Sequence, residues 1–501
     1  FGLTIPEKYG GAGLPKSVYS RVFEEICTID ASIAVMLGAH GSIGTNPLIL
    51  FGTEKQKEQY LPRLASGELI GCFGLTEPGA GSDAAGIQSF AQLNEKKTHF
   101  ILNGSKIWIS NGGIAGLCTV FAKTEVAEAG ERKKKITAFL VESKWPGFSS
   151  GKQEHKLGIR GSNTTSLNFD NVEVPVDHIL GPIGKGFKVA METLNLGRLS
   201  LAAGCVGGCK ALIKSSVEYA RDRRQFGQPI IEFEIIQDKI SQDVADTYAA
   251  ESMVYLTSAL ADRGHVDYSL ESAICKIFAS ETLWRTVNDT VQIAGGLGYS
   301  QEYPYERFLR DARINLIFEG TNEILRAFIA LAGMQGPGEY LKRIGKALRD
   351  PIKGFGLLTE FAVSKVKDVV AKDSLKNIDS RLKDEADRFN EFTAELESLV
   401  EKSLMKYGKE IIHHEFILAR IANMAIDLYG MAAVISRVDS MIKAGESVDR
   451  DLPVAKLYCD GAWRRVRREA RQVENNLDDM RREIVKTVHE LNKYPFEVLN
   501  L

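Results

Sequence analysis

The sequence predicts an α+β chain that is mostly α: an N-terminal helical domain, a middle β-barrel-like domain, a helical bundle and an additional C-terminal helical domain. Three observations predict it. At 501 residues the chain is too long for one core, since a domain takes about 150 residues. Apolar residues recur at helical spacing over residues 1–69, 184–335 and 336–501. Over residues 70–183 the texture changes to alternation broken by turn residues.

In residues 1–69, helical patterning starts at Ser17, after the Gly-rich Glu7-Lys-Tyr-Gly-Gly-Ala-Gly-Leu loop, and Thr53-Glu-Lys-Gln opens another amphipathic helix. Between them Val35-Met-Leu-Gly-Ala-His-Gly-Ser-Ile-Gly44 is crowded with small residues, which either let helices pack closely or leave room for a ligand. His40 reads as a buried imidazole rather than a catalyst.

In residues 70–183, Asn103-Gly104 between Thr98–Leu102 and Ser105–Ser110 predicts a hairpin with a type I′ turn. Further strands are expected at Ile136–Val141 and Ser166–Val174. The loop Leu75-Thr-Glu-Pro-Gly-Ala-Gly-Ser-Asp83 is rich in backbone donors that can cradle an anion or a heterocycle. It is not the dinucleotide fingerprint, because Ala84 stands where the third glycine belongs. Trp108 and Ser110 share a strand face, which fits either packing or a ligand.

Residues 184–335 return to helical spacing, with Val206, Cys209, Ile213, Val217 and Ala220 on one face. The cluster Arg221-Asp-Arg-Arg-Gln-Phe-Gly227 ends that helix; its arginines either complement the helix dipole or grip a pyrophosphate. Gln292-Ile-Ala-Gly-Gly-Leu-Gly-Tyr299 is a glycine-rich break. The stretch Arg313-Ile-Asn-Leu-Ile-Phe-Glu319-Gly-Thr-Asn-Glu-Ile-Leu-Arg326 places one carboxylate at a turn behind an apolar run, with Thr321 or Asn322 as N-cap. Apolar surroundings raise a Glu pKa toward that of a working base; the stretch alone also fits an ordinary solvated Glu319.

In residues 336–501, Phe389, Phe392, Leu396 and Leu399 make a helical stripe. Within 338–372, Leu341, Ile344 and Leu348 form one face while Lys342, Arg343, Lys346 and Arg349 crowd the rest. Such a basic amphipathic segment suits an anionic membrane surface, or a solvated face on its own domain.

Charges nearly cancel, at a formal net charge of -2, so no global field favours nucleic acid. The seven cysteines are scattered and odd in number, which suits a reducing compartment; Cys205 and Cys209 read as a core helix face, and no metal site is expected. No apolar run is expected to reach the length of a bilayer span. The chain starts at Phe1 without Met, so a targeting segment is not visible.

Set side by side, Thr76-Glu-Pro-Gly-Ala-Gly-Ser-Asp83, Trp108-Ile-Ser-Asn-Gly-Gly113, Arg223-Arg-Gln-Phe-Gly227, Gln292-Ile-Ala-Gly-Gly-Leu-Gly298 and Arg310-Asp-Ala-Arg-Ile with Phe318–Arg326 occur in the order and spacing of the acyl-CoA dehydrogenases. The chain resembles that family from residue 1 to about 335. Beyond 335, including Ile426-Asp-Leu-Tyr-Gly-Met431, it resembles the very-long-chain branch.

The resemblance implies FAD-dependent α,β-dehydrogenation of long- or very-long-chain acyl-CoA to trans-2-enoyl-CoA in fatty acid β-oxidation, with electrons passed to an electron-transfer flavoprotein. Glu319 matches the base. Thr76, Ser82, Trp108 and Ser110 match flavin-contacting positions, and Thr321 and Glu323 positions near the adenine half. Arg223, Gln225, Phe226, Gln292 and Gly296 match residues that reach the neighbour's FAD across a homodimer. On the substrate side stand Ser82, Asn195, Arg198 and Gly320, with Gly38, Ala39 and Gly41 as an open channel floor for a long acyl chain. Some relatives carry the base in the stretch matching Asn195-Leu-Gly-Arg198, where this chain has Gly197. An oxygen-using acyl-CoA oxidase and a respiratory complex I assembly factor that retains dehydrogenase activity are the alternatives. The implied location is the matrix side of the mitochondrial inner membrane or the bacterial cytoplasm and inner-membrane surface, with peripheral membrane contact through 338–372.

Overall fold

The N-terminal region is built from short helices: α1 (Lys16–Cys27), α2 (Ala31–Gly38), a π-helical turn over Ala39–Thr45, α3 (Asn46–Phe51) and α4 (Glu54–Ser66). Their starts are encoded locally. Asp30 accepts from the N–H groups of Ser32 and Ile33 to open α2. Thr53 accepts from Gln56 N while Gln56 Oε1 accepts from Thr53 N, a reciprocal cap that opens α4. The computed structural model describes residues 1–128, 130–264, 266–336 and 375–496. They fall into two compact units, Phe1–Leu325 and Arg326–Leu501.

An eight-stranded sheet follows the helices, formed by β1 (Gly71–Gly74), β2 (Phe90–Leu93), β3 (His99–Ser110), β4 (Leu117–Glu128), β5 (Glu131–Glu142), β6 (Phe148–Ser150), β7 (Thr164–Pro175) and β8 (Ile179–Leu180). Its order is β6-β7-β3-β2-β4-β5-β8, with β1 parallel to β4. Phe100, Phe139, Leu167, Val172 and Val120 fill its core. The strands expected at Ile136–Val141 and Ser166–Val174 lie within β5 and β7.

The hairpin expected at Asn103-Gly104 does not form. The chain runs straight through as β3, flanked by β2 and β7, and the Asn-Gly pair makes a β-bulge where the register shifts between Leu102 and Gly104. Asn103 Oδ1 accepts from Asn171 N across the bulge (2.9 Å). Gly104 lies against Ser89 at φ 144°, leaving no room for a Cβ. Pairing on both sides overrides the local turn preference. The tight two-residue turn occurs instead at Phe226-Gly227, at φ 49° and 86°, between β9 (Arg224–Gln225) and β10 (Gln228–Pro229).

The helical part of the first unit comprises α5 (Gly186–Asp222), α6 (Glu234–Asp262), α7 (Ser269–Ala294), α8 (Gly296–Tyr299), α9 (Tyr305–Ala312) and α10, which starts at Asn322. In the second unit, α11 (Lys383–Tyr407), α12 (Glu415–Lys443), α13 (Asp451–Glu474) and α14 (Asp478–Leu491) follow. Phe392 and Leu399 of the expected stripe are buried on α11. The Ile426–Met431 motif joins α12 to α13: Asp427 accepts from Arg465 at 2.8 and 3.0 Å, and a Cβ on Gly430 would collide with the Tyr458 hydroxyl. The segment 338–372 lies outside the described residues.

Three helical stretches, Ala31–Phe51, Gly186–Asp222 and Glu415–Lys443, are long and apolar enough to cross a membrane, contrary to the expectation that none reaches that length. Their apolar windows are 56%, 83% and 72% buried inside the fold. A helix enclosed by its own domain is apolar on most faces for that reason.

Candidate active site

One face of α5, carrying Gly197, Ser200, Leu201, Gly204, Cys205 and Gly208, lines a cleft of about 900 Å³ that reaches Leu212. At 1.5 Å per residue the face from Gly197 to Leu212 extends about 22 Å. Phe23 and Cys27 of α1 and Gly38 and Ala39 stand across it. The empty side-chain space of Gly38 is taken by the Phe23 ring, whose Cζ lies 2.9 Å from where a Cβ would be. Gly41 does not line the cleft; it makes room for the Tyr19 hydroxyl, 3.2 Å from its Cβ position. The depth of the cleft therefore comes from α5 glycines and Ala39 as much as from Gly38.

Glu319 closes the near end. A 3₁₀ turn, Arg313–Leu316, leads into it, and Glu319 itself has φ 59° with Gly320 at 92°. This left-handed pair reverses the chain before Thr321, whose hydroxyl accepts from Ile324 N (3.3 Å) as the N-cap of α10. The carboxylate points into the cleft, where its Oε2 is enclosed without a hydrogen-bond partner. A Cβ on Gly197 would lie 2.8 Å from that oxygen. Burial pushes the Glu319 pKa up to about 7, and Arg198 and Lys276 pull against the rise. Two buried cations hold the turn from outside: Arg198 Nε donates to the Glu319 carbonyl (3.2 Å), and Lys276 Nζ to the Gly320 carbonyl (2.8 Å). Such a carboxyl can take a proton near neutrality and keep it in an apolar setting.

Ser110, at the end of β3, lines the same cleft as Glu319. Two residues earlier Trp108 sits at φ 60° beside a register shift, its indole 59% exposed. The Thr76–Asp83 loop is tied to this strand by Ile107 N donating to Thr76 O (3.0 Å) and by a buried ion pair, Lys106 Nζ to Glu77 Oε1 (2.6 Å). Glu77 also accepts from Gln88 N and Ser89 N (2.5 and 3.0 Å), and Lys106 donates to Leu75 O. Thr76 is half-buried and Ser82 exposed; Gly79 and Gly81 have nothing within 4 Å of a would-be Cβ. An exposed Trp108, the Ser110 hydroxyl in the cleft and an open glycine-rich loop have the chemistry to receive a flat heterocycle.

The remaining candidates are distributed. Asn195 is buried on α5, two residues before Gly197, and does not line the cleft. Arg223, Gln225, Gln292, Gly296 and Glu323 are exposed, and Phe226 is 94% exposed at its turn. Within this chain they do not join the Glu319 cleft.

Comparison with known proteins shows the family. Residues 1–68, 72–172 and 184–334 match the families described as acyl-CoA dehydrogenase N-terminal, middle and C-terminal domains, and 380–494 match the ACAD9/ACADV C-terminal domain. The chain belongs to the acyl-CoA dehydrogenase family. The very long-chain specific acyl-CoA dehydrogenase of Bos taurus mitochondria is 41% identical over 98% of this chain and 76% of its own. The acyl-CoA dehydrogenase of Bacillus anthracis, solved as a complex with FAD, superposes with a TM-score of 0.82 at 34% identity, covering 99% of this chain and 85% of that one. Butyryl-CoA dehydrogenase from Megasphaera elsdenii gives a TM-score of 0.64 at 42% identity, covering 67% and 87%.

The residues present fit the FAD of the acyl-CoA dehydrogenase family: an exposed Trp108, Ser110 lining the same cleft as Glu319 and the open Thr76–Asp83 loop offer a flat face and polar groups. Two features of this acyl-CoA dehydrogenase escape sequence reading. The cleft face of α5 is one helix face among several apolar ones, and no periodicity separates it from core. Lys276 had a signal, a single cation in the apolar run Ala273-Ile-Cys-Lys-Ile-Phe278.

Proposed function

We propose that this FAD-dependent acyl-CoA dehydrogenase oxidises long- or very-long-chain acyl-CoA to the trans-2-enoyl-CoA, with Glu319 as the base. The carrying observation is Glu319, whose Oε2 is enclosed without a hydrogen-bond partner at the end of a cleft that follows α5 to Leu212. A face of about 22 Å exceeds the roughly 15 Å that one leaflet's acyl chains occupy in a bilayer, which supports a long tail.

Glu319 removes the proton α to the thioester carbonyl and holds it on a carboxyl whose neutral form burial already favours. Thr76, Ser82, Trp108 and Ser110 would hold FAD, which would supply the acceptor for the β-hydrogen as hydride. The apolar walls exclude water while charge develops at the thioester oxygen. Backbone N–H of Glu319, on the turn clamped by Arg198 and Lys276, is the protein's donor toward that oxygen.

Electrons leave to an electron-transfer flavoprotein. A homodimer completes the flavin site with Arg223, Gln225, Phe226, Gln292 and Gly296; the exposed Phe226 and the 86% exposed Tyr299 support such a surface. The relative named as mitochondrial supports a mitochondrial location. Anaerobic titration with acyl-CoAs of graded length, followed by flavin absorbance, tests the reading. Bleaching strongest with long chains, and lost in Glu319→Gln with flavin retained, is expected; bleaching by the Gln variant at the parent's rate would refute it.

A further inference from the structure

Lys276 is fully buried on α7, and the hydrogen bonds of its ammonium go to neutral oxygens: the Gly320 carbonyl (2.8 Å) and Asn322 Oδ1 (2.7 Å). Asn322 is fixed in turn by donating to Ser280 Oγ and Glu281 Oε1 (both 3.1 Å). A desolvated cation satisfied by neutral acceptors is unfavourable unless a charge elsewhere compensates it. The groups that bear on it include Glu319 and Cys205, with Glu281 on its own helix and Arg198 opposing.

We propose that Lys276 is a positioning residue for the base: its ammonium locks the Glu319–Gly320 turn through the Gly320 carbonyl and its field favours the ionised Glu319 carboxylate. This rests on Glu319 being the base. The two carbonyls on either side of the Gly320 nitrogen are each clamped, that of Glu319 by Arg198 and that of Gly320 by Lys276. A turn with two consecutive positive φ angles needs such restraint. The clamp fixes the peptide plane that follows the base, and with it the direction of the carboxylate toward the α-carbon. Among the described residues, the charged and titratable groups that line the cleft with Glu319 or act on it are Cys27 on α1, Arg198 and Cys205 on α5, Lys276 on α7 and Asp311 on α9, which accepts from Ile159 N. Of the two cations, Lys276 is the one that can lose its proton in a working pH range, since burial lowers its pKa to about 8.

Difference infrared titration of the flavin-loaded protein, referenced to Glu319→Gln, reads the Glu319 carboxyl directly and without turnover. In Lys276→Met its midpoint is expected to rise by about one unit, and flavin reduction by palmitoyl-CoA at neutral pH to slow about fivefold. In Lys276→Arg, which keeps the charge, the midpoint stays in place. An unmoved midpoint in folded Lys276→Met overturns the proposal. If that variant does not fold, Lys276→Gln, which keeps a donor toward the Gly320 carbonyl and removes the charge, carries the same infrared test, and an unmoved midpoint there overturns the proposal. Bleaching of Glu319→Gln at the parent's rate would instead strike the assignment of Glu319 as base, so the two failures are separable.

Discussion

The side chain that Gly197 lacks and the carboxylate of Glu319 claim the same space: a Cβ at 197 would stand 2.8 Å from Glu319 Oε2 and 2.8 Å from Ile43 Cγ2. The Glu319 carboxylate can occupy the cleft because α5 has a glycine opposite it.

Gly197→Ala is therefore expected to push the Glu319 carboxylate off the α-carbon while leaving the flavin loop untouched. A misplacement on the order of 1 Å costs about a hundredfold in rate. Stopped-flow flavin reduction should fall by that order with unchanged flavin content; a loss below threefold would show that the two positions do not compete.

The Glu319 carboxyl also links activity to stability with opposite signs. Its pKa is raised from 4.5 to about 7, so between those values the folded chain binds more protons than the unfolded one, and stability falls as pH rises through that window. Above pH 7 the ionised carboxylate withdraws about 3 kcal/mol. Glu319→Gln removes the effect: its melting temperature should exceed the parent's at alkaline pH and converge with it as pH falls toward 4.5. Flavin reduction in the parent should climb through about pH 7. Parallel melting curves at every pH would contradict the buried carboxyl.

Lys106 and Glu77 hold the Thr76–Asp83 loop, proposed to receive the cofactor, against β3 from inside the sheet, at 0% and 5% exposure. Lys106→Met leaves Glu77 buried with only N–H donors, a change worth about 3–5 kcal/mol. Urea midpoints and flavin content should drop together. Retained flavin at a lowered midpoint would separate the pair from the loop's position.

Gly208 lines the distal cleft, and a Cβ there would meet Leu283 Cδ1 at 3.0 Å. It lies about 16 Å along α5 from Gly197, beyond the reach of a short tail. Gly208→Val should lower kcat/KM for long-chain acyl-CoA about 10–100-fold and spare butyryl-CoA. An equal loss for both would indicate damage to the bundle instead of a blocked channel.

How much was readable in advance differs by residue. Thr53, Asp30 and Thr321 cap helices through bonds to residues two or three positions on, so their roles are written in a few consecutive letters. Lys276 is four residues from Ser280 in sequence but 46 from Asn322, and its partner could appear only with the fold. Asn103-Gly104 carries a local turn signal that pairing with Phe90–Leu93 and Val172–Glu173 overrules.

By itself the sequence determined the helical and strand texture, the helix starts, the turn carrying Glu319 and the motif order that marks the family, because these rest on near neighbours and residue type. The tertiary structure alone decided that Gly197 clears space for Glu319, that Gly38 and Gly41 accommodate Phe23 and Tyr19, and that Arg198 and Lys276 clamp the turn after the base. Those relations join residues 15 to 122 positions apart; local preference has no term for them, and close packing does.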